Sequence, residues 1–208
     1  MKKTILITFL LVTNLFCKPN SNMELMNNPD IIKVFSKEEI SSLELIVDFF
    51  DSFILKKAKK NQDINQAYHE YFESIDRSES IEDLRIHIGL TNSDNTKELI
   101  MTLKEKGIFK EIWKYSYEYD YITKDTLSVN LAPNVQGKYM QFLELLGKHN
   151  NYISEYVNTI QSSDCIAPSL VAGFMKDFYK DVDFHKEVNR LIFAVHYITI
   201  VSEEKYNK

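Results

Sequence analysis

The chain is poor in the residues that staple, break or hinge a fold. Its 208 residues include two cysteines, five glycines, four prolines and one tryptophan. A disulfide within the chain would need both Cys17 and Cys165. If Cys17 is removed or lipidated, no bridge forms and the fold rests on its core alone. Five glycines are too few to suggest backbone-lined phosphate loops. There is no Gly-x-Ser-x-Gly, no His-Glu-x-x-His and no Cys–His cluster, which argues against the common hydrolases, zinc proteases and nucleotide enzymes. Neither cofactor nor metal is expected. Positive charge is also short: 25 Lys and Arg stand against 30 Asp and Glu. That balance excludes non-specific nucleic-acid binding, which depends on neutralising phosphates, and an electrostatic grip on anionic lipid. No apolar run reaches the roughly 20 residues a membrane-spanning helix requires.

What is present begins with the first residues. Lys2 and Lys3 form a basic head, and an apolar run from Ile5 to Phe16 follows, ending at Cys17. This is the layout of an export signal. Behind it lie Lys18-Pro19-Asn20-Ser21-Asn22 and Asn27-Asn28-Pro29-Asp30, an Asn- and Pro-rich stretch suited to a flexible tether. Over residues 1–30 the chain resembles bacterial lipoprotein precursors, with Leu15 and Phe16 before the cysteine where that class usually has a small residue next to it. The resemblance implies cleavage before Cys17 and a lipid on its thiol. Release after cleavage, or retention of the segment, are the alternatives. Loss of Lys2 and Lys3 leaves 23 basic groups against 30 acids, a formal charge of −7 in place of −5. The expected organisation is a signal segment at 1–16, a polar tether at 17–35 and a helical domain at 36–208. The protein is expected to be exported and either membrane-tethered in the cell envelope or, without lipid, periplasmic or secreted.

Helical spacing dominates the remainder. Phe35-Ser36-Lys37-Glu38-Glu39-Ile40 is a capping box inside a hydrophobic staple, and it predicts a helix to about Lys57 with Ile40, Leu43, Val47, Phe50 and Ile54 on one side. Lys56, Lys57, Lys59 and Lys60 suit its C-terminal end. Ile64, Tyr68, Tyr71, Phe72 and Ile75 mark a second helix, begun by Asp63. Others are expected over 80–88, from Ser93 or Asp94 to Gly107, around Tyr139–Leu146, around Tyr152–Ile160, and after Pro168. The last carries Val188, Leu191, Ile192, Val195 and Ile198, with Asp183 as its cap. The fold expected is all-α, a single irregular bundle of about eight or nine helices.

Residues 108–131 fit two periods. Trp113, Tyr115, Tyr117, Tyr119 and Tyr121 alternate with polar residues, as do Leu127, Val129 and Leu131, so a small β-hairpin near 113–131 is one reading. Ile108, Ile112, Tyr115, Tyr119 and Ile122 form a helix stripe, and a helix over about 108–122 followed by an extended loop is the preferred one.

Three functions follow as expectations. The first is a non-catalytic cell-envelope protein that binds another protein through a helical surface. The second is an envelope enzyme with a site between helices, drawing on His196, His185 or Asp181. The third is a glycan or small-ligand binder using Trp113, Tyr115, Tyr117, Tyr119 and Tyr121, since a strand would place those five rings on one face. Catalytic residues are not identifiable from spacing, and Cys165, with no base near it in sequence, reads as a buried small hydrophobe.

Overall fold

The computed structural model describes residues 24–76, 94–120, 122, 123, 125–162, 173, 178–202, 204 and 205. The helices expected at 80–88 and, for the most part, after Pro168 lie outside these residues, as do Cys17, Tyr121 and Cys165. Within them the protein is an all-α bundle carrying a small β-hairpin. In chain order the elements are α1 (Glu24–Asn27), α2 (Pro29–Ile32), α3 (Lys37–Lys57), α4 (Ile64–Asp76), α5 (Asp94–Glu105), α6 (Phe109–Ile112), β1 (Trp113–Tyr119), β2 (Thr126–Pro133), α7 (Lys138–Gly147), α8 (Asn151–Ser162), a short 3₁₀ turn (Tyr179–Asp181), α9 (Glu187–Val201) and β3 (Glu204–Lys205).

The helix starts follow local chemistry. Ser36 Oγ accepts the Glu39 N–H at 3.3 Å and Glu39 returns a carboxylate oxygen to the Ser36 N–H at 2.7 Å, so the capping box forms as expected. Asp63 Oδ1 accepts two N–H groups at the start of α4, and Asn150 Oδ1 does the same for α8. Gly107, at φ +76°, takes the left-handed conformation that ends α5, where a side chain would be strained. Gly137 is required for space: a Cβ there would fall on the Glu111 carbonyl where α6 meets the start of α7. Asp183 does not cap α9. Its carboxylate accepts the His185 N–H, and Lys186 stands at the cap with no side-chain bond.

Packing centres on α9. Every residue from Leu191 to Ile200 is buried, polar His196 and Thr199 included. A helix apolar on all sides belongs inside a protein rather than on its surface, and α9 is the axis around which α1, α3 and β2 pack. An aromatic cluster binds it to α3 and α4: Phe50 lies 4.6 Å from Tyr197, Phe72 lies 4.8 Å from Phe193, and Phe184 lies 4.9 Å from Phe193, by ring centroids. Arg190 ties the same layer by charge, donating to Asp51 at 3.1 Å and to the Phe184 and His185 carbonyls at 2.8 Å.

Two expectations change. Residues 24–35, assigned to the tether, are part of the packed domain: Leu25, Ile31 and Phe35 are buried in the core. The Leu25 N–H donates to Glu187 and the Glu187 N–H to Glu24, which clamps this segment onto the start of α9. The second change is at 108–122, where the helix stops at Ile112 and Trp113–Tyr119 is a strand. It pairs antiparallel with Thr126–Pro133, Trp113 opposite Pro133 and Tyr117 opposite Val129. Two contacts outside the segment favour this outcome. Trp113 Nε1 donates to Thr199 Oγ1 of α9 at 2.8 Å, and the Leu131 N–H donates to Ser202 Oγ at 3.3 Å. Neither partner is visible in the local period.

Candidate functional site: an aromatic face on the hairpin

The side chains of β1 alternate across the sheet, so Trp113, Tyr115, Tyr117 and Tyr119 share a face. Their fates differ. Trp113, at the base, is 1% exposed and belongs to the core, so it is withdrawn from the expected binding surface. Tyr115, Tyr117 and Tyr119 are 42%, 51% and 51% exposed. Ring centroids run from Phe109 to Tyr115 at 5.5 Å, to Tyr117 at 6.5 Å and to Tyr119 at 6.2 Å, the last pair stacked. This is a continuous aromatic row rising from the core to the tip. Leu131 and Val129 stand opposite Tyr115 and Tyr117, and aromatic over aliphatic cross-strand pairs hold such a face in place.

The tip is organised by Asp120, whose Oδ1 accepts the N–H groups of Ile122 and Thr123 at 2.8 and 3.0 Å. It leaves Ile122 exposed. At the other end, Lys104 Nζ lies 5.0 Å from the Tyr115 ring and 5.2 Å from Phe109, within cation–π range. Met101, exposed, stands one turn earlier on α5. Exposed apolar residues are therefore concentrated here: Tyr115, Tyr117, Tyr119 and Ile122 on the hairpin, with Met101 on the adjoining helix. Periodicity could locate the tyrosines but not Lys104, which arrives from another element.

The groups considered for an enzyme are not assembled into one site. His196 is fully buried, its Nδ1 2.7 Å from the Tyr156 hydroxyl, and burial pushes its pKa down to about 3. Its imidazole is a neutral core group. His185 lies on the surface beside Asp183 and Asp63, at 3.1 and 3.2 Å, and these carboxylates raise its pKa, the Asp183 hydrogen bond most. The start of α9, close to His185 in the chain, is about 14 Å from His196 at ~1.5 Å per residue. Asp181 sits in the 3₁₀ turn. Among the described residues no group of three or more His, Cys, Asp or Glu side chains is disposed to hold a metal ion. A cleft between α3 and α4 is lined by Ile54, Lys57, Gln62, Glu70, Tyr71 and Ser74. Lys57 there lies over the Phe53 and Tyr71 rings, and burial lowers its pKa. It contains a cation and a carboxylate but no group poised as a nucleophile.

No protein-family model matches the chain, and neither the curated proteins nor the solved structures include one significantly similar to it. No helix among the described residues is long and apolar enough to cross a membrane.

Proposed function

We propose that this is a non-catalytic binding protein of the cell envelope, held to a membrane through Cys17, which recognises another protein with the tyrosine face of its hairpin. The observation that carries the recognition surface is the exposed row Tyr115–Tyr117–Tyr119. Tyrosine presents a large rigid area with a polar edge at small entropic cost, which is why it is enriched at interface hot spots. A contiguous exposed apolar patch on an otherwise acidic protein is best accounted for by a partner that covers it. Here the surface is on the sheet, not on a helix. The tether in this reading is confined to residues 17–23, because 24–35 pack with the domain.

The test is site-specific photo-crosslinking in the cells that produce the protein, with the photoreactive residue at position 117 and, as control, at the exposed Leu55 of α3. A discrete adduct with a different protein is expected from position 117 alone, and is expected to disappear when Tyr115 and Tyr119 are both replaced by Ser. Equal labelling from 117 and 55 overturns the reading. So does perturbation of the tyrosine resonances by an envelope oligosaccharide in the absence of any protein adduct, which would assign the row to a glycan.

A further inference from the structure

The hairpin has an edge as well as a face. Among the described residues the strand order is β1-β2-β3, so β1 is the open edge. The phase of its ladder determines what that edge offers. The Asn134 N–H donates to the Ile112 carbonyl at 2.8 Å. Residues in step with that pair exchange bonds with β2: Lys114 with Ala132, Ser116 with Asn130, Glu118 with Ser128. Tyr115, Tyr117 and Tyr119 therefore turn their N–H and C=O groups outward, while the Trp113 N–H is returned to the Phe109 carbonyl. The opposite side of the hairpin agrees with this phase. Leu131 sends its N–H away from β1 to Ser202 Oγ, and Val129 lies opposite Glu204 of β3. The outer edge of β2 is thus covered by β3 at Ser128 and Val129, while among the described residues no strand covers that of β1. It carries no proline and no bulge before Glu118, the devices that blunt an edge.

We infer that β1 pairs antiparallel with β1 of a second copy, about a two-fold axis through Ser116. Ladder phase restricts the axis. Outward groups fall on odd positions, so odd residues must face odd residues, which permits an axis at 115, 116 or 117. Charge then selects one. An axis at Ser116 places Lys114 of each copy opposite Glu118 of the other. It pairs the five residues from Lys114 to Glu118, with Tyr115 opposite Tyr117 as the bond-exchanging pair, and leaves the buried Trp113 out. An axis at 115 or 117 sets a charged position against Ser116. The self-complementary order Lys-x-Ser-x-Glu is the pattern an isologous contact requires, each residue meeting its counterpart twice. The product is one sheet continuous across two copies. This assembly uses backbone at the edge, so it is independent of the partner proposed for the tyrosine face, which stays open and is doubled in width.

Replacing Ser116 by Cys tests the register. Facing residues of a non-exchanging pair have Cα atoms about 4.5 Å apart, within disulfide reach. The two copies of position 114 stand about 14 Å apart, four residues at ~3.4 Å each. The full chain, extracted in mild detergent and oxidised, should run as a covalent dimer with Ser116→Cys. Lys114→Cys, and the parent chain with its two native cysteines, should form no covalent dimer. Sedimentation supplies a measurement free of disulfide geometry: Lys114→Glu should weaken the dimer by roughly fivefold, and Lys114→Glu with Glu118→Lys should restore it. Tyr117→Ser should leave the dimer intact, which separates this outcome from failure of the binding face. A parent chain that sediments as monomer up to about 100 μM overturns the inference. So does an oxidised Ser116→Cys chain joined to a different protein, which would show that the edge takes a foreign strand.

Discussion

Glu187 shows how one side chain carries a conflict built into the fold. It opens α9, is 6% exposed, and its carboxylate accepts the Leu25 N–H at 3.3 Å. Burial pushes its pKa up to about 7; the Leu25 bond and Arg190 oppose the shift, and Glu44 and Glu24 add to it. The unfolded carboxyl titrates near 4.5, so the folded chain holds the proton more tightly. The resulting stability is present in full below about pH 4.5 and is lost as pH rises through about 7. Glu187→Gln keeps an oxygen for Leu25 and removes the charge. Its stability relative to the parent is expected to rise between about pH 4.5 and 8, reaching about 3 kcal/mol at pH 8. Denaturant unfolding of both chains across that range measures it. The buried His196, neutral in the fold, contributes to each chain alike and cancels. A difference independent of pH would mean that Glu187 is ionised at no cost.

At the level of elements, the hairpin is held to the bundle by its base. Thr199 Oγ1 accepts from Trp113 Nε1 and donates to the Val195 carbonyl, both at 2.8 Å, and all of these groups are buried. Thr199→Val preserves shape and leaves the indole N–H unpaired, which should cost about 1–3 kcal/mol. The loss should be seen as a lower denaturation midpoint, with amide exchange in β1 rising more than in α3. Unchanged exchange in β1 would show that its pairing with β2 holds the strand unaided. By contrast α3 is self-specified at its start: its cap and reciprocal carboxylate lie within four residues of sequence. Lys138 adds a tertiary tie to the same carboxylate at 2.6 Å. Such local devices are legible in the amino-acid order, and so are the apolar stripes of α4, α7 and α8, because helix periodicity and capping act over a few residues.

On the scale of the whole molecule, the domain is acidic, without a membrane-spanning helix among its described residues, and its N-terminal segment from Glu24 is locked onto α9. Attachment to a membrane would then rest on acyl chains at Cys17, each buried CH₂ contributing about 0.8 kcal/mol. The full-length protein is expected to fractionate with membranes, and Cys17→Ser to shift it to the soluble fraction. Mass spectrometry of the mature N-terminus should find a diacylglycerol-modified Cys17. An intact Met1, or an unmodified N-terminus beyond Cys17, would remove the lipid anchor and leave the binding domain without its proposed location.

The amino-acid order by itself determined the helical class, both ends of α3 and α5, the start of α4, and the alternating tyrosines that single out 113–119. Each is a local property, set by side chains within one or two turns of one another. The tertiary structure decided the remainder. Residues 113–119 satisfy a period of two and a stripe of three and four together, so local preference is divided and long-range partners choose between them. Pairing with Val129 and Leu131, and the Trp113 bond to Thr199 across 86 residues, tip the balance to a strand. The same contacts pull Trp113 into the core and leave three tyrosines outside. The strip Leu25–Phe35 reads as polar tether because its three buried anchors are widely spaced among Asn, Asp and Lys. It packs because α9, apolar on every side, has more surface to cover than the neighbouring helices alone provide. Burial of that kind is a property of the assembled surface, and no short window of residues contains it.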